Sequence, residues 1–234
     1  MSIYLFLYNF IQFCGWCLFF FKVTYYVINS IPLQEIYLNT HIILECCQYG
    51  ASLEIIHAIL GIVKSNIYAT AIQILGRIII VFILYFFPSS VSNGFFLLSF
   101  GWSLIEMVRY FYYILSLLQK NFGNFNIPYL LIWCRYSFFV VLYPIGVSGE
   151  IISVWNAKKD FRNYTLWKDS NLKITLADLV YPAYTLYIPS LIFLYRYLFK
   201  QRKKVLDRLN NDNIKMKKMN NFIALYKYNF IIVL

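Results

Sequence analysis

Long apolar segments separated by short polar connections dominate the pattern of this chain. Six segments are close to the roughly 20 residues that a helix needs to cross a bilayer; they lie at 4–28, 40–63, 67–87, 95–118, 128–154 and 181–199. The connections between them are short, apart from the polar stretch 155–180. The pattern predicts an all-α membrane protein with six transmembrane helices and no soluble domain able to bury its own core.

The composition supports the same class. Of the 234 residues, 61% are hydrophobic and 13% are charged, and there are 22 Phe, 22 Tyr and 5 Trp. An ordinary globular domain is about 45–50% apolar and about 25% charged. Soluble, disordered, collagen-like and disulfide-scaffold proteins are therefore excluded, and a polytopic membrane protein is expected.

The net charge of +11 is concentrated near the C-terminus. Residues 196–218 hold nine Lys or Arg and two Asp. Such a run can bind nucleic acid, but this one directly follows an apolar segment, which favours a cytosolic membrane-edge segment and no nucleic-acid partner. Six spans then place both termini in the cytosol, although the basic residues of 155–180 fall on the opposite side. We therefore expect a membrane domain at 1–200 and a basic, partly flexible cytosolic tail at 201–234.

Ionisable residues inside the apolar segments are functional candidates, because each costs about 2.5–3.5 kcal/mol to insert. They are Glu54, His57, Arg77, Glu106, Arg109, Arg135 and Glu150. The pairs Glu54/His57 and Glu106/Arg109 are each three residues apart, so each pair can partly satisfy itself on one helix face. For the three arginines, the main expectation is that they join helices through hydrogen bonds.

The fifth segment holds a different pair, Tyr143 and Glu150. They are seven residues apart, which places them on one helix face about 10 Å apart along the axis. Pro144, Gly146 and Gly149 predispose this helix to kink and leave room beside its backbone. A phenol and a carboxyl that face one apolar cavity can act as an acid/base pair. Spacing alone also allows an ordinary hydrogen-bonded structural pair.

The residues around this pair resemble a known family. The string Arg135-Tyr136 … Leu142-Tyr143-Pro144-Ile145-Gly146-Val147 … Glu150 is similar to the signature of the very-long-chain (3R)-3-hydroxyacyl-CoA dehydratases, once called protein-tyrosine-phosphatase-like proteins. Four further blocks follow the order of that family: Tyr4-Leu5 with Tyr8-Asn9 and Gly15-Trp16, Leu53-Glu54-Ile55-Ile56-His57 with Gly61, Gln73 with Arg77, and Trp102-Ser103-Leu104-Ile105-Glu106 with Arg109-Tyr110. The resemblance covers about residues 4–204.

The resemblance implies a six-span hydro-lyase of the endoplasmic-reticulum membrane. Such an enzyme removes water from a long-chain 3-hydroxyacyl-CoA to give the trans-2-enoyl-CoA during fatty-acid elongation, beside the other elongation enzymes and in contact with membrane lipids. Its helices would surround an apolar cavity for the acyl chain. Basic residues at the cytosolic rim would attract the CoA phosphates; they are Lys64, Lys120, Lys200, Arg202 and Lys203.

The family's catalytic residues fall on Tyr143 and Glu150. We expect Glu150 to remove or shuttle the C2 proton and Tyr143 to donate a hydrogen bond, and the reverse division remains open. His57 is the alternative general base. No metal or redox cofactor is expected. A phosphatase is excluded, because Ala58 stands where the thiolate nucleophile would be.

Two other functions remain as alternatives. The first is a family member that has lost catalysis and acts as a scaffold for the elongation enzymes. The second, less favoured, is a transporter that uses the intramembrane charges as an ion path. Transporters often show paired halves or matching broken helices, and the sequence shows neither.

Overall fold

The computed structural model describes residues 2–123, 126–166 and 174–232, and their side chains between residues 3 and 211. Within these ranges eight α-helices follow one another: α1 (Ser2–Ile28), α2 (Leu33–Ala51), α3 (Leu53–Ile59), α4 (Ile67–Phe86), α5 (Asn93–Phe122), α6 (Tyr129–Ser137), α7 (Phe139–Phe161) and α8 (Val180–Ile232). The only β pairing in the described residues is an isolated bridge between Thr165 and Thr175. The predicted all-α class is confirmed.

Five helical segments of the described chain are long and apolar enough to cross a membrane. They are Ile3–Ile28, Leu33–Ile59, Ile67–Phe86, Tyr129–Phe161 and Leu176–Asn211. The chain is therefore a multi-pass membrane protein, and the predicted second, third, fifth and sixth segments correspond to α2 with α3, to α4, to α6 with α7, and to the first part of α8.

The predicted fourth span coincides with α5, which is not among these five segments. Its 30 residues give a length of about 45 Å, more than enough to cross. However, α5 carries buried polar side chains, including Ser99, Ser103, Glu106 and Arg109. These groups face protein rather than lipid, so hydropathy alone does not identify this helix as a span. The count of six spans stays a prediction.

α5 lies at the centre of the bundle and packs most extensively against α7 and α1. Glycines bring the backbones of α5 and α7 together, as is common for helices in membranes. A Cβ atom built on Gly149 would lie 2.5 Å from the backbone nitrogen of Leu98, and one on Gly94 would lie 2.6 Å from the Gly149 carbonyl oxygen. The room that the sequence predicts beside Gly149 is therefore occupied by α5.

Large apolar side chains fill the space between α1, α2, α4 and α5. The most deeply buried include Trp16, Phe19, Phe95, Trp102 and Tyr110. Aromatic pairs in this cluster pack edge to face, as for Trp16 and Phe19, whose ring centroids are 5.9 Å apart. This core holds α5 rigidly and so fixes the position of the side chains that α5 presents to α7.

The chain divides into two compact units, Met1–Leu194 and Tyr195–Leu234. The first unit contains α1 to α7 and the beginning of α8. In the second unit the backbone of α8 continues as a helix to Ile232, through most of the tail 201–234 that the sequence predicts to be partly flexible. The division into a catalytic domain at 1–200 and a tail at 201–234 stays a prediction.

Candidate active site

A cavity of ≈ 310 Å³ lies between α4, α5, α7 and the first part of α8. Most of its wall is apolar, with isoleucine, leucine and valine side chains from all four helices. The polar side chains that line it are Gln73, Arg77, Trp102, Tyr143, Glu150, Tyr184, Tyr187 and Ser190. The two residues that the sequence singled out as an acid/base pair, Tyr143 and Glu150, therefore face one mainly apolar cavity.

Glu150 is buried, with 8% of its surface exposed, and both of its carboxyl oxygens are hydrogen-bonded. The indole nitrogen of Trp102 on α5 donates to Oε1 at 3.0 Å. The hydroxyl of Tyr187 on α8 donates to Oε2. Both donors are neutral, and among the described residues no ion pair includes Glu150. Three helices thus fix one carboxyl at the cavity wall.

Tyr143 lies on α7 two helical turns before Glu150, which separates the two positions by about 10 Å along the axis. Its ring packs edge to face against Phe139, with centroids 6.3 Å apart. Arg77 on α4 lines the same cavity as Tyr143 and Glu150. The cavity thus brings together a phenol, a carboxyl and a positive charge.

Arg77 connects this cavity to a buried charge network. It reaches from α4 to form an ion pair with Glu106 on α5, and its guanidinium stacks over the Trp102 ring at 5.1 Å. Glu106 also pairs with Arg109 at 2.6 Å, as its spacing of three residues predicts. Arg109 in turn pairs with Glu54 on α3 at 2.7 Å. We call these four residues the charge network.

The expectation that the arginines join helices is confirmed. Arg77 links α4 to α5, Arg109 links α5 to α3, and Arg135 on α6 donates to the hydroxyl of Tyr113 on α5 at 3.0 Å. The local pairing predicted for Glu54 with His57 is replaced by longer-range contacts. Glu54 accepts hydrogen bonds from Arg109 and from the Tyr110 hydroxyl, the latter at 2.6 Å.

His57, the alternative base, lies away from the cavity. Its Nε2 is 2.8 Å from the hydroxyl of Tyr4 on α1, and its ring packs edge to face against Tyr8. It is not among the side chains that line the cavity. The geometry therefore assigns His57 to the contact between α1 and α3.

Residues 48–208 of the chain match a protein-family model described as "Protein tyrosine phosphatase-like protein, PTPLA". This match covers more than half of the chain. The chain belongs to the PTPLA family. The family resemblance seen in the sequence blocks is confirmed.

Curated relatives of this PTPLA protein are named very-long-chain (3R)-3-hydroxyacyl-CoA dehydratases. The hpo-8 protein of Caenorhabditis elegans is 34% identical over 210 residues, which cover 87% of this chain and 94% of that protein. Dehydratase 2 of Homo sapiens is 30% identical, over 87% of this chain and 80% of its own length. PASTICCINO 2B of Oryza sativa subsp. japonica is 31% identical, over 87% and 93%. No solved structure matches the chain.

Sequence reasoning missed the two donors that hold Glu150 in this PTPLA protein. Trp102 occurs in a family block, but no local pattern pairs it with a residue 48 positions away. Tyr187 had a weaker signal, because Tyr181, Tyr184 and Tyr187 recur at intervals of three and so share one side of α8. In the part of the chain that the structure describes, no group of three His, Cys, Asp or Glu side chains is placed to hold a metal ion.

Proposed function

We propose that this protein dehydrates long-chain 3-hydroxyacyl-CoA to trans-2-enoyl-CoA, a hydro-lyase step of fatty-acid elongation. The names of its relatives supply the reaction. The observation that carries the proposal to particular residues is the placement of Tyr143 and Glu150 on one apolar cavity. Among the described residues, the hydrogen-bond donors to Glu150 are the neutral side chains of Trp102 and Tyr187, and no ion pair includes its carboxyl.

In the proposed reaction, Glu150 takes the proton from C2 of the substrate. The electron pair of that C–H bond becomes the C2–C3 double bond as the C3–O bond breaks. The departing hydroxyl takes a proton from the phenol of Tyr143 and leaves as water. The proton on Glu150 then returns to the phenolate, which restores both groups. The separation of about 10 Å between the two positions along α7 leaves space for the reacting carbons between their side chains.

Positioned charge and hydrogen bonds assist this step. Proton removal beside a thioester builds negative charge on the thioester oxygen, which a fixed positive charge stabilises. Arg77 supplies that charge at the cavity wall, held in place by Glu106. Trp102 and Tyr187 orient the carboxyl of Glu150 and keep it from rotating away from C2.

The proposed setting is the endoplasmic-reticulum membrane, with six spans and both termini cytosolic. Helix α5 is then the fourth span in chain order, buried at the centre of the bundle, and it brings the count to six. Under this topology Lys64 and Lys120 lie on the same cytosolic side as the basic tail 201–234. These cations attract the phosphates of CoA to the membrane surface. The membrane domain 1–200 carries out the chemistry, and other elongation enzymes are the expected partners.

Turnover by the purified protein in phosphatidylcholine vesicles tests this proposal. The wild type is expected to convert a long-chain 3-hydroxyacyl-CoA to the enoyl product. Glu150→Gln and Tyr143→Phe are each expected to lower kcat by about 10²–10⁴-fold. The matched controls are Glu35→Gln and Tyr85→Phe, which change exposed positions on α2 and α4. An inactive wild type would overturn the function, and two fully active variants would overturn the assignment of the residues.

A further inference from the structure

One end of the cavity is closed a short distance beyond Glu150. Val154, the last residue of α7 that lines the cavity, is only four residues or about 6 Å further along the helix. Behind it Ala157, Phe161 and Val180 form a buried apolar cluster, against which Val154 itself packs. A long acyl chain that starts near Glu150 therefore has no room to extend in this direction.

Hydrogen bonds reinforce the closed end. The Ser89 hydroxyl, in the turn after α4, donates to the Asn156 carbonyl on α7 at 2.9 Å. The Ser89 backbone nitrogen donates to the carboxyl of Asp160 at 3.0 Å. These bonds tie the end of α4 to the end of α7, so this floor of the cavity is fixed.

The side of the cavity between α4 and α8 differs from the closed end, because residues that line it are also exposed at the protein surface. On α4, Arg77 faces the bundle through its ion pair with Glu106. Ile79 is two residues further on, about 200° around the helix. It still lines the cavity although 59% of its surface is exposed. This edge of α4 therefore borders both the cavity and the outside of the protein.

The facing edge of α8 repeats this arrangement. The Tyr184 hydroxyl donates to the backbone carbonyl of Ile151 on α7 at 3.0 Å, which closes the α7 flank of α8. Leu186 is two residues further on, about 200° around the helix, so it is turned away from α7. It lines the cavity while 74% exposed. The exposed edges of α4 and α8 thus flank one gap, which we call the lateral opening.

We propose that the lateral opening connects the cavity to the bilayer, and that the distal part of the substrate's acyl chain passes through it to lie among the lipid tails. The proposal rests on the proposed function and names where that substrate goes. Ile72, Ile79, Ala183 and Leu186 make the sides of the opening apolar, and at this depth the surrounding solvent is hydrocarbon. An acyl chain crosses such a boundary without exposing apolar surface to water. The cavity then binds the reacting end of the substrate and does not select for the length of its acyl chain.

A substrate with a bulky terminus tests the lateral opening. The probe is a long-chain 3-hydroxyacyl-CoA that carries a pyrenyl group on its last carbon, compared with the unmodified substrate of equal length. Both are assayed with the full-length protein in phosphatidylcholine vesicles. A closed pocket rejects even a small added group by about tenfold or more. Because the pyrene would lie in lipid, we expect the two substrates to differ in kcat/KM by less than about threefold, a smaller penalty than such a pocket imposes.

Two tryptophan variants localise the effect. Leu186→Trp narrows the lateral opening. We expect it to lower kcat/KM for the pyrenyl substrate by about tenfold or more. We expect a much smaller effect on kcat/KM for the shorter-chain substrate 3-hydroxydecanoyl-CoA. Ile188→Trp is the matched control, because Ile188 is 58% exposed on the same helix and does not line the cavity. If the wild type converts the unmodified substrate but rejects the pyrenyl one, the proposed lateral opening is wrong while the proposed function stands. Equal effects of the two tryptophans would also overturn it. Turnover of neither substrate would overturn the function itself.

Discussion

Two buried polar regions lie side by side in this apolar bundle, and they differ in what their carboxyl groups meet. In the charge network, Glu54 and Glu106 meet the guanidinium groups of Arg77 and Arg109. In the cavity that Arg77 also lines, Glu150 accepts hydrogen bonds from an indole and a phenol. The same residue type therefore has two environments, one with compensated charge and one with neutral donors.

The difference indicates which of these carboxyl groups can exchange a proton with a substrate. A carboxylate that neutralises two buried cations cannot give up its charge without leaving them unpaired, and that is costly in a medium of low dielectric. A carboxyl held by neutral donors can gain or lose a proton with a much smaller change in its surroundings. We therefore propose that the carboxylates of the charge network stabilise the fold while Glu150 transfers protons, and the following substitutions test that division.

The largest effect on stability is expected for Glu106→Gln. The substitution removes the carboxylate that serves both Arg77 and Arg109, and breaking a buried pair in this way costs about 3–5 kcal/mol. We expect a strongly lowered unfolding temperature in detergent micelles and a reduced yield of folded protein. Glu150→Gln is the comparison, expected to lose activity while it unfolds close to the wild-type temperature. If the two variants were equally stable, the division between the regions would be wrong.

A smaller effect, on rate, is expected for Tyr187→Phe. The variant removes the donor to Oε2 of Glu150, and a hydrogen bond to a charged group contributes about 1.5–3 kcal/mol. We expect kcat to fall by about 10–100-fold, with little change in KM and a smaller drop in unfolding temperature than for Glu106→Gln, because the aromatic ring remains. Tyr181→Phe is the matched control on the same helix, outside the cavity wall. An unchanged kcat for Tyr187→Phe would show that Trp102 alone positions the carboxyl.

The smallest effect is expected for Gly76→Ala on the cavity side. A Cβ atom at Gly76 would meet nothing within 4 Å, and alanine favours a helix over glycine by about 1 kcal/mol. We expect a slightly raised unfolding temperature and turnover close to wild type. The same change at Gly149, where the Cβ would lie 2.5 Å from Leu98, is expected to destabilise the protein. If Gly76→Ala failed to fold, the space beside Gly76 would have to be occupied, which would contradict the open cavity at this position.

The spacing of residues along the chain predicted the features that depend on one helix alone, namely its bounds and which residues share a face. The bounds of α4 and the shared face of Tyr143 and Glu150 follow from hydropathy and from 3.6 residues per turn, and both agree with the structure. The start of α2 did not follow. Its first turn holds the polar residues Gln34 and Glu35 after Leu33, so a search for apolar runs places the beginning of this helix later, near residue 40.

Contacts between distant parts of the chain could not be predicted in this way. The partners of Glu54 and Glu150 lie 37 to 56 residues away along the chain. Which helices become neighbours is decided by packing, such as the close approach at Gly94 and Gly149, and not by the residues next to the charge. For the same reason the sequence predicted a helix at 95–118, which agrees with α5, but did not predict that this helix packs at the centre of the bundle.

The ion pair between Arg77 and Glu106 also bears on how the chain is inserted during synthesis. Each residue alone would resist transfer from the translocon into lipid, because a charged side chain inside a span costs about 2.5–3.5 kcal/mol to insert. The pair joins two consecutive helices, α4 and α5. We therefore expect these helices to leave the translocon together as a hairpin, with the charges of Arg77 and Glu106 already paired. The ion pair that stabilises the folded protein would then also determine that α4 and α5 are inserted together.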